Sequence, residues 1–421
     1  MSIIEELTWR GAINQQTDEE GLKRLVEEKN VSLYCGVDPT ADSLHIGHLI
    51  PYMVLKRFQL AGHRPVIVIG AGTATIGDPS GRNSERELQT METIMENAEA
   101  ISQQMVHLFD ANGPNGIKMV NNYDWLKEIS FLDFLRDVGK DFSLNTMLSK
   151  ESVQSRLETG ISFTEFTYQI IQAMDYLYLY REHDVQLQVG GADQWGNITA
   201  GLDFIRKKEG PEAEAYGLTI PLLTNADGEK FGKSAGNAVW LDPKKTSPYE
   251  FYQFWMNQQD EDIVKYLKYF SFRSKAEIEE IAEQMEAEPH KRHGQRALAE
   301  EMTVFVHSEK DLKEVQVLTD ALFSGDVANL SVNQVQNASS AMESVTAPKE
   351  NQNIIDFLVD ASGIVNSRRQ AREDINNGAI YIKGERITDL DYVLGEEDSY
   401  DGQFILVRRG KKRWFLVNLE D

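Results

Sequence analysis

The chain has a single cysteine, Cys35, in 421 residues. A disulfide framework and a cysteine-cluster metal site are thereby excluded, and the eight histidines show no HExxH-type pairing. Basic residues are scarce: 43 Lys and Arg stand against 67 Asp and Glu, for a net charge of −24. Summed negative charge repels polyanions at long range, so any nucleic-acid site must be local. No uninterrupted apolar run approaches a membrane span, and the start, Met1-Ser2-Ile3-Ile4-Glu5-Glu6-Leu7, lacks a basic stretch before an apolar core. The expectation is a cytoplasmic protein with no membrane partner and no structural metal. What is present, 41% hydrophobic and 26% charged residues, suits a globular chain. Single cores stop growing at about 250–300 residues, so two or three domains are expected.

Val31-Ser32-Leu33-Tyr34-Cys35-Gly36-Val37 places apolar residues at alternate positions, and Asp38-Pro39-Thr40-Ala41-Asp42 breaks the pattern before a helical stretch from about 47 to 61. Val66-Ile67-Val68-Ile69 ends in Gly70-Ala71-Gly72, and Val185-Gln186-Leu187-Gln188-Val189 precedes Gly190-Gly191 and a helix carrying Ile198, Leu202 and Ile205. Strand, loop and helix in that order imply an α/β fold with a parallel sheet, whose ligands sit at the carboxyl ends of the strands. The expected domains are 1–246, holding that sheet and a polar loop at 225–236, and 247–323, which reads as helical throughout. Residues 324–352, rich in Asn, Ser, Gln and Ala, read as a connector, either mobile or carrying a small helix. A compact α+β domain follows at 353–421, with helices at 354–359 and 367–376, a turn at Asn377-Gly378, and strands at 379–383 and 404–408.

In His45-Ile46-Gly47-His48 two imidazoles flank a glycine where a loop enters its helix. A helix N-terminus offers N–H groups to phosphate, histidine donates to phosphate oxygens, and Gly47 lets a flat base approach the backbone. The plainer reading is a helix start that happens to hold two histidines. Lys230-Phe231-Gly232-Lys233-Ser234 brings two ammonium groups and a hydroxyl to a surface loop, suited to the charge on departing pyrophosphate. Taken alone, a solvated basic loop is the commoner case. Tyr168, Gln172 and Asp175 stand at i, i+4 and i+7 of an otherwise apolar helix, a stripe that either lines a pocket or faces solvent. Arg368, Arg369 and Arg372 share one helix near the C-terminus, and Arg408, Arg409, Lys411, Lys412 and Arg413 cluster beside Trp414, as local phosphate contacts or as a solvated face. Arg206-Lys207-Lys208 also suits an RNA contact, although a helix C-terminus favours cations in any case.

The histidine and lysine motifs resemble the HIGH and KMSKS signatures of class I aminoacyl-tRNA synthetases. Phe231 and Gly232, where that second signature has Met and Ser, give the form seen in tyrosyl-tRNA synthetases. Further matches are Tyr34 to Thr40, Gly77-Asp78-Pro79-Ser80-Gly81-Arg82, Phe163-Thr164-Glu165-Phe166 and Gly190 to Asn197. Ser367-Arg368-Arg369-Gln370-Ala371-Arg372, followed by Asn377 to Gly384, is similar to a small RNA-binding module shared with a small-subunit ribosomal protein.

The resemblance implies a Rossmann-like parallel-sheet catalytic domain, an α-helical domain and a small α+β RNA-binding domain. It implies ligation of L-tyrosine to tRNA(Tyr) at the expense of ATP, with Mg²⁺ accompanying ATP, in a homodimer. By the same resemblance Tyr34 and Asp175 hold the phenolic hydroxyl, Asp78, Tyr168 and Gln172 the α-ammonium group, and Gln194 lies near the carboxylate. Cys35 and Asp193 meet the ATP ribose, with Gly36, Gly47 and Gly191 around the nucleotide and the Asp38 backbone N–H on the α-phosphate. Cys35 reads equally well as an apolar strand residue. Thr40, His45, His48, Lys230, Lys233 and Ser234 are expected at the β- and γ-phosphates, assisted by Arg82 and Arg86. Arg368, Arg372, Arg408, Arg409, Lys411 and Lys412 are the expected tRNA contacts.

Overall fold

The computed structural model describes the chain except Arg82, Asn83, Glu85, Arg86, Glu158, Thr159, Asp227, Glu229, Lys230, Ala235, Gly236, Ser340, Ala341, Lys411, Lys412, Asp421 and the side chains of Lys233, Ser234 and Asn237. It divides into two compact units, Met1–Asp242 with Gln258–Leu298, and Pro243–Asn257 with Ala299–Asp421.

The first unit is built on strands β1 (Gln15–Gln16), β2 (Ser32–Val37), β3 (Arg64–Ile69), β4 (Lys118–Asn121), β5 (Val185–Gly191) and β6 (Tyr216–Ile220), in the order β1-β6-β5-β2-β3-β4. All neighbours are parallel except the β1–β6 edge. Val66 to Ile69 are buried without alternation, as a strand covered on both faces requires. Side chains still alternate between the faces: Tyr34, Val66 and Val68 join the core under the Phe163–His183 and Trp195–Glu209 helices. Cys35, one residue from Tyr34, therefore points to the opposite face. The expected helix over 47–61 starts as a 3₁₀ turn at Ile46–His48 and continues as Leu49–Leu60.

Sequence periodicity missed β4. Its four residues are half-exposed or exposed and too few to display an alternation.

The second unit contains β9 (Glu343–Pro348) to β15 (Arg413–Glu420), numbered after a short pair β7 (Lys233–Ser234) and β8 (Asn237–Ala238) in the first unit. Between them come β10 (Gln352–Asn353), β11 (Ile380–Ile382), β12 (Glu385–Ile387), β13 (Val393–Leu394) and β14 (Phe404–Arg409). Five of these form one sheet, β12-β11-β14-β15-β9, in which β9 runs parallel to β15. Ile354, Phe357, Ala371 and Ile375 close one face of it over Val407, Phe415 and Val417.

The segment read as a connector is part of this body. Val327 and Leu330 are buried, Val327 O accepts the Tyr400 hydroxyl at 2.6 Å, helix Val332–Asn337 follows, and β9 adds an edge strand. Its apolar residues are too widely spaced for a periodic signal, and a parallel edge strand takes its register from a partner more than sixty residues away in the chain. The helical stretch expected at 247–323 is likewise divided, because Pro248–Met256 packs with Glu309–Ser324 while Asp260–Phe270 belongs to the first unit.

Candidate active site

Between β2 and β5 the winding of the sheet reverses, since β3 lies beyond β2 and β6 beyond β5. Such a reversal opens a crevice at the carboxyl ends of the strands. Asp38, Asp78, Tyr168, Gln172, Asp175 and Gln194, singled out from the sequence, are joined there through hydrogen bonds among themselves or through shared neighbours.

At the deep end lies Tyr34, 2% exposed, its ring centroid 5.2 Å from that of Tyr176. Its hydroxyl has no hydrogen-bond partner among the described residues. Asp175 is 3% exposed; its Oδ2 accepts from Asn122 Nδ2 at 2.9 Å and its Oδ1 from Trp125 Nε1 at 2.8 Å. Burial pushes this carboxyl up to about 7, against the pull of the two donors. Burial, then the nearby Asp175 charge, pushes the Tyr34 phenol well above its ordinary value. The orphaned buried phenol costs roughly 1–3 kcal/mol until a group arrives that can accept from it.

Nearer the mouth, Asp38 Oδ2 accepts the Tyr168 hydroxyl at 2.9 Å and Oδ1 the Thr73 hydroxyl at 2.6 Å. This packing forces glycine at position 70, where a Cβ would fall 2.2 Å from Asp38 Oδ1. Asp78 Oδ2 accepts from Gln194 Nε2 at 2.7 Å and Oδ1 from the Ser80 backbone at 2.9 Å. The Asn197 amide lies 3.1 Å from Gln172 Oε1 and 3.2 Å from Gln194 Oε1. Burial, then the charges of Asp38 and Asp78, pushes the Tyr168 phenol well up. Two carboxylates beside a neutral phenol make a place for a cation.

At the start of the Leu49–Leu60 helix, His45 Nδ1 accepts from Gly47 N and His48 Nδ1 from His45 N, both at 3.1 Å, with the rings stacked 3.9 Å apart. A ring nitrogen that accepts a backbone N–H carries no proton. The proton of each neutral ring is therefore on Nε2, a donor for phosphate oxygen. Gly232 (φ +98°) lies against this turn: a Cβ there would be 3.0 Å from Ile46 Cγ2 and 3.4 Å from Gly47 N. Only glycine meets both the backbone conformation and the approach, so the two signature motifs touch. Phe231 is buried with its centroid 5.0 Å from Tyr266 and 5.2 Å from Phe270.

Not every candidate joins the site on the same footing. Gly36, Thr40 and Asp193 are exposed at its rim, and Gly191 ends β5 beside them. Cys35 is buried on the far face of the sheet, its thiol pushed up to about 12 by burial. Lys230, Arg82 and Arg86 lie outside the described residues, as do the side chains of Lys233 and Ser234.

In the second unit, taken by itself, Arg372 and Arg369 are exposed. Arg368 pairs with Asp356 at 2.7 Å and Asp360 at 2.5 Å, and Arg409 with Asp374 at 2.8 Å. The Arg408 guanidinium lies 4.0 Å over the Tyr381 ring and 5.5 Å from that of Trp414. Lys411 and Lys412 lie outside the described residues. In the first unit, Lys207 bonds the Asp141 carbonyl, and Lys208 reaches Asp137 O at 2.8 Å.

Sequence reasoning missed Asn122, Trp125 and Thr73, which frame Asp175 and Asp38. Asn122 and Trp125 follow β4, and their one signal was a polar and aromatic cluster, Asn121-Asn122-Tyr123-Asp124-Trp125, after an unrecognised strand.

Residues 26–324 match the family described as tRNA synthetases class I (W and Y), and residues 334–417 the Tyrosine--tRNA ligase SYY-like C-terminal domain. The chain is 62% identical over 419 residues to Tyrosine--tRNA ligase 2 of Bacillus cereus, and 59% identical over 421 residues to Tyrosine--tRNA ligase 1 of Enterococcus faecalis. Both alignments cover 100% of each chain. Among solved structures, a C-terminally truncated mitochondrial tyrosyl-tRNA synthetase of Aspergillus nidulans superposes with a TM-score of 0.70 at 32% identity, covering 76% of this chain and 94% of that one. A tryptophan-bound tryptophanyl-tRNA synthetase of Encephalitozoon cuniculi shares the fold at 17% identity and a TM-score of 0.55, covering 74% and 87% of the two chains.

Proposed function

The chain belongs to the class I tRNA synthetases (W and Y), and on that footing we infer that it is a tyrosine–tRNA ligase, activating L-tyrosine with ATP and passing it to the 3′ end of tRNA(Tyr). The observation that carries the substrate is the unpartnered Tyr34 hydroxyl beside Asp175. A tyrosine phenol accepts from Tyr34 and donates to Asp175, satisfying both. Phenylalanine leaves the Tyr34 hydroxyl unpaired and gives Asp175 no further donor, and an indole N–H serves Asp175 but offers Tyr34 no acceptor. Discrimination against phenylalanine of about 10⁵ is the value established on an enzyme of this same kind, and it is quoted from that case.

Asp78, Tyr168 and Gln172 then face the α-ammonium group, Gln194 lies beside the carboxylate, and the Asp38 backbone N–H meets the α-phosphate. That carboxylate attacks the α-phosphorus of ATP, which would enter with Mg²⁺; the new P–O bond forms as the bond to pyrophosphate breaks. No protein nucleophile takes part. Rate comes from aligning the two substrates and from donors placed on the phosphates: His45 and His48 Nε2, Thr40 and the Lys230 to Ser234 segment, with Arg82 and Arg86 assisting. Asp193 and Gly191 adjoin the ribose. The exposed Arg372 of the terminal unit, with Lys411 and Lys412, supplies cations for the tRNA backbone, and the reaction belongs in the cytoplasm.

Phe131, Leu132, Leu144 and Phe163 are 65–73% exposed within one stretch of the first unit. Large apolar side chains left to solvent in such number support a homodimer that covers them. Sedimentation equilibrium at the mass of one chain would exclude it.

Tyrosine-dependent exchange of labelled pyrophosphate into ATP tests the assignment; exchange with tryptophan and not tyrosine overturns the substrate. A pH dependence follows from Asp175. The free carboxyl titrates at about 7, and only its ionised form accepts the substrate's phenolic proton while that phenol accepts from Tyr34. Below that pH the carboxyl must first lose its proton, so affinity is complete above the pKa and is lost as pH falls through it. Tyrosine should bind about tenfold more weakly at pH 6 than at pH 8. Equilibrium dialysis giving equal affinities at the two values would refute this role for Asp175.

A further inference from the structure

The segment carrying Phe231 and Gly232 is mounted on a helix to which no role in the reaction has yet been given. Asp262, on the Asp260–Phe270 helix, is 3% exposed, and its Oδ2 accepts the backbone N–H of Ala226 at 2.7 Å. Its Oδ1 accepts from Lys265 Nζ at 2.8 Å, and Lys265 in turn donates to the Thr224 carbonyl at 2.6 Å. Tyr266 and Phe270, four and eight residues beyond Asp262, stand on the same helix face and clasp the Phe231 ring. Phe231 N donates to Leu223 O at 3.0 Å, closing the stem on itself. Downstream, Gly232 rests on Ile46 and Gly47, and Val239 O accepts the Ile46 N–H at 2.8 Å. Phe231 and Gly232 thus lie between a helix that grips the one and the histidine turn that meets the other.

A carboxylate in a helix's first turn often does no more than meet the macrodipole. Asp262 differs, because it is buried and both its oxygens serve the stem, one directly and one through Lys265. A buried carboxylate must be hydrogen-bonded to be tolerated, and here the bonds it accepts fix the backbone at 224 and 226.

We propose that Asp262, seconded by Lys265, is a positioning residue for tyrosyl-adenylate formation: through Phe231 and Gly232 it sets where the Lys233–Ser234 backbone starts beside the histidine turn. The proposal rests on the synthetase reading above. A displacement of about 1 Å in a group that acts on the transition state costs up to roughly 10²-fold in rate. The effect belongs to the phosphate end of the site, because the groups that frame Tyr34 and Asp175 are Asn122, Trp125 and Tyr176.

The test is a double-mutant cycle of single-turnover adenylate formation in the full chain. Asp262→Ala should slow the step by about tenfold or more while the tyrosine Kd stays within about twofold. In a Lys233→Ala background the same change should cost less than about twofold, since the group being positioned is gone. Asp262→Asn, whose amide oxygen still accepts from Ala226, should recover most of the rate, and Lys265→Met should repeat the pattern more weakly in a fold that keeps Asp262. Additive losses with Lys233→Ala, or a parallel loss of tyrosine affinity, would show a merely structural role and overturn the proposal. If Lys233→Ala alone changes nothing, the reading of the segment fails first, and that arm is scored before the cycle is closed.

Discussion

A chain ending at Ser324 should exchange pyrophosphate into ATP with tyrosine at close to the full-length rate and transfer no measurable tyrosine to tRNA. Every residue placed at the tyrosine and phosphate sites lies in the first unit, and the helices Pro248–Met256 and Glu309–Ser324, which pack together, both survive the cut. What is lost is the five-stranded sheet, its cover and the basic cluster. Neutralising phosphates accounts for much of protein–RNA affinity, so removing these cations from an acidic chain leaves little to hold the tRNA. The position of the cut matters. Ending at Gln352 would strand β9 without β15 and leave Val327 and Leu330 uncovered, and the resulting aggregation would be mistaken for loss of activation. Parallel exchange and tyrosylation assays check the prediction. Intact charging would show the terminal unit to be incidental.

Lys233→Ala should slow tyrosyl-adenylate formation by about 10²- to 10³-fold, the usual cost of removing one donor aimed at charge that develops in the transition state. Tyrosine affinity should not change, because the pocket around Tyr34 and Asp175 is framed by Asn122, Trp125 and Tyr176. The backbone supports this division of labour. Lys233 and Ser234 pair with Asn237 and Ala238 in a small hairpin whose base, at Gly232, abuts the histidine turn. Rapid-quench measurement of adenylate under single-turnover conditions separates the step from tyrosine binding, and an unchanged rate would remove the segment from the mechanism.

The parts of this design legible in the sequence are those with a local rule behind them. A continuous β-branched run declared the strand at 66–69 and alternating apolar residues the one at 31–37, and the i, i+4, i+7 spacing of Tyr168, Gln172 and Asp175 put three polar groups on one helix face. Tyr168 and Asp175 are buried there with partners, and the Gln172 amide lies beside Asn197. Illegible were contacts that depend on distant partners. Asn122 reaches Asp175 across 53 positions, and β9 finds its register only against β15. The ion pairs within the C-terminal charge cluster were hidden for the same reason. Arg368 and Arg409 look free in the sequence, but the fold brings Asp356, Asp360 and Asp374 to them. Glycine carried more information than its spacing suggested, since Gly70 and Gly232 are required by what approaches them.

The placement of β15 bears on how the protein is made. It is the last strand of its sheet in chain order and yet an interior one, flanked by β14 on one side and by β9, some seventy residues earlier, on the other. A ribosome delivers β9 some seventy residues before the strand that joins it to β14. Until then two strand edges and the apolar face under Phe357 and Val407 wait uncapped. The catalytic sheet, whose strands are all complete by Ile220, has no such delay. Nascent chains are therefore expected to acquire a folded activation site first and to be most exposed to misassembly during the interval before Arg413–Glu420 emerges.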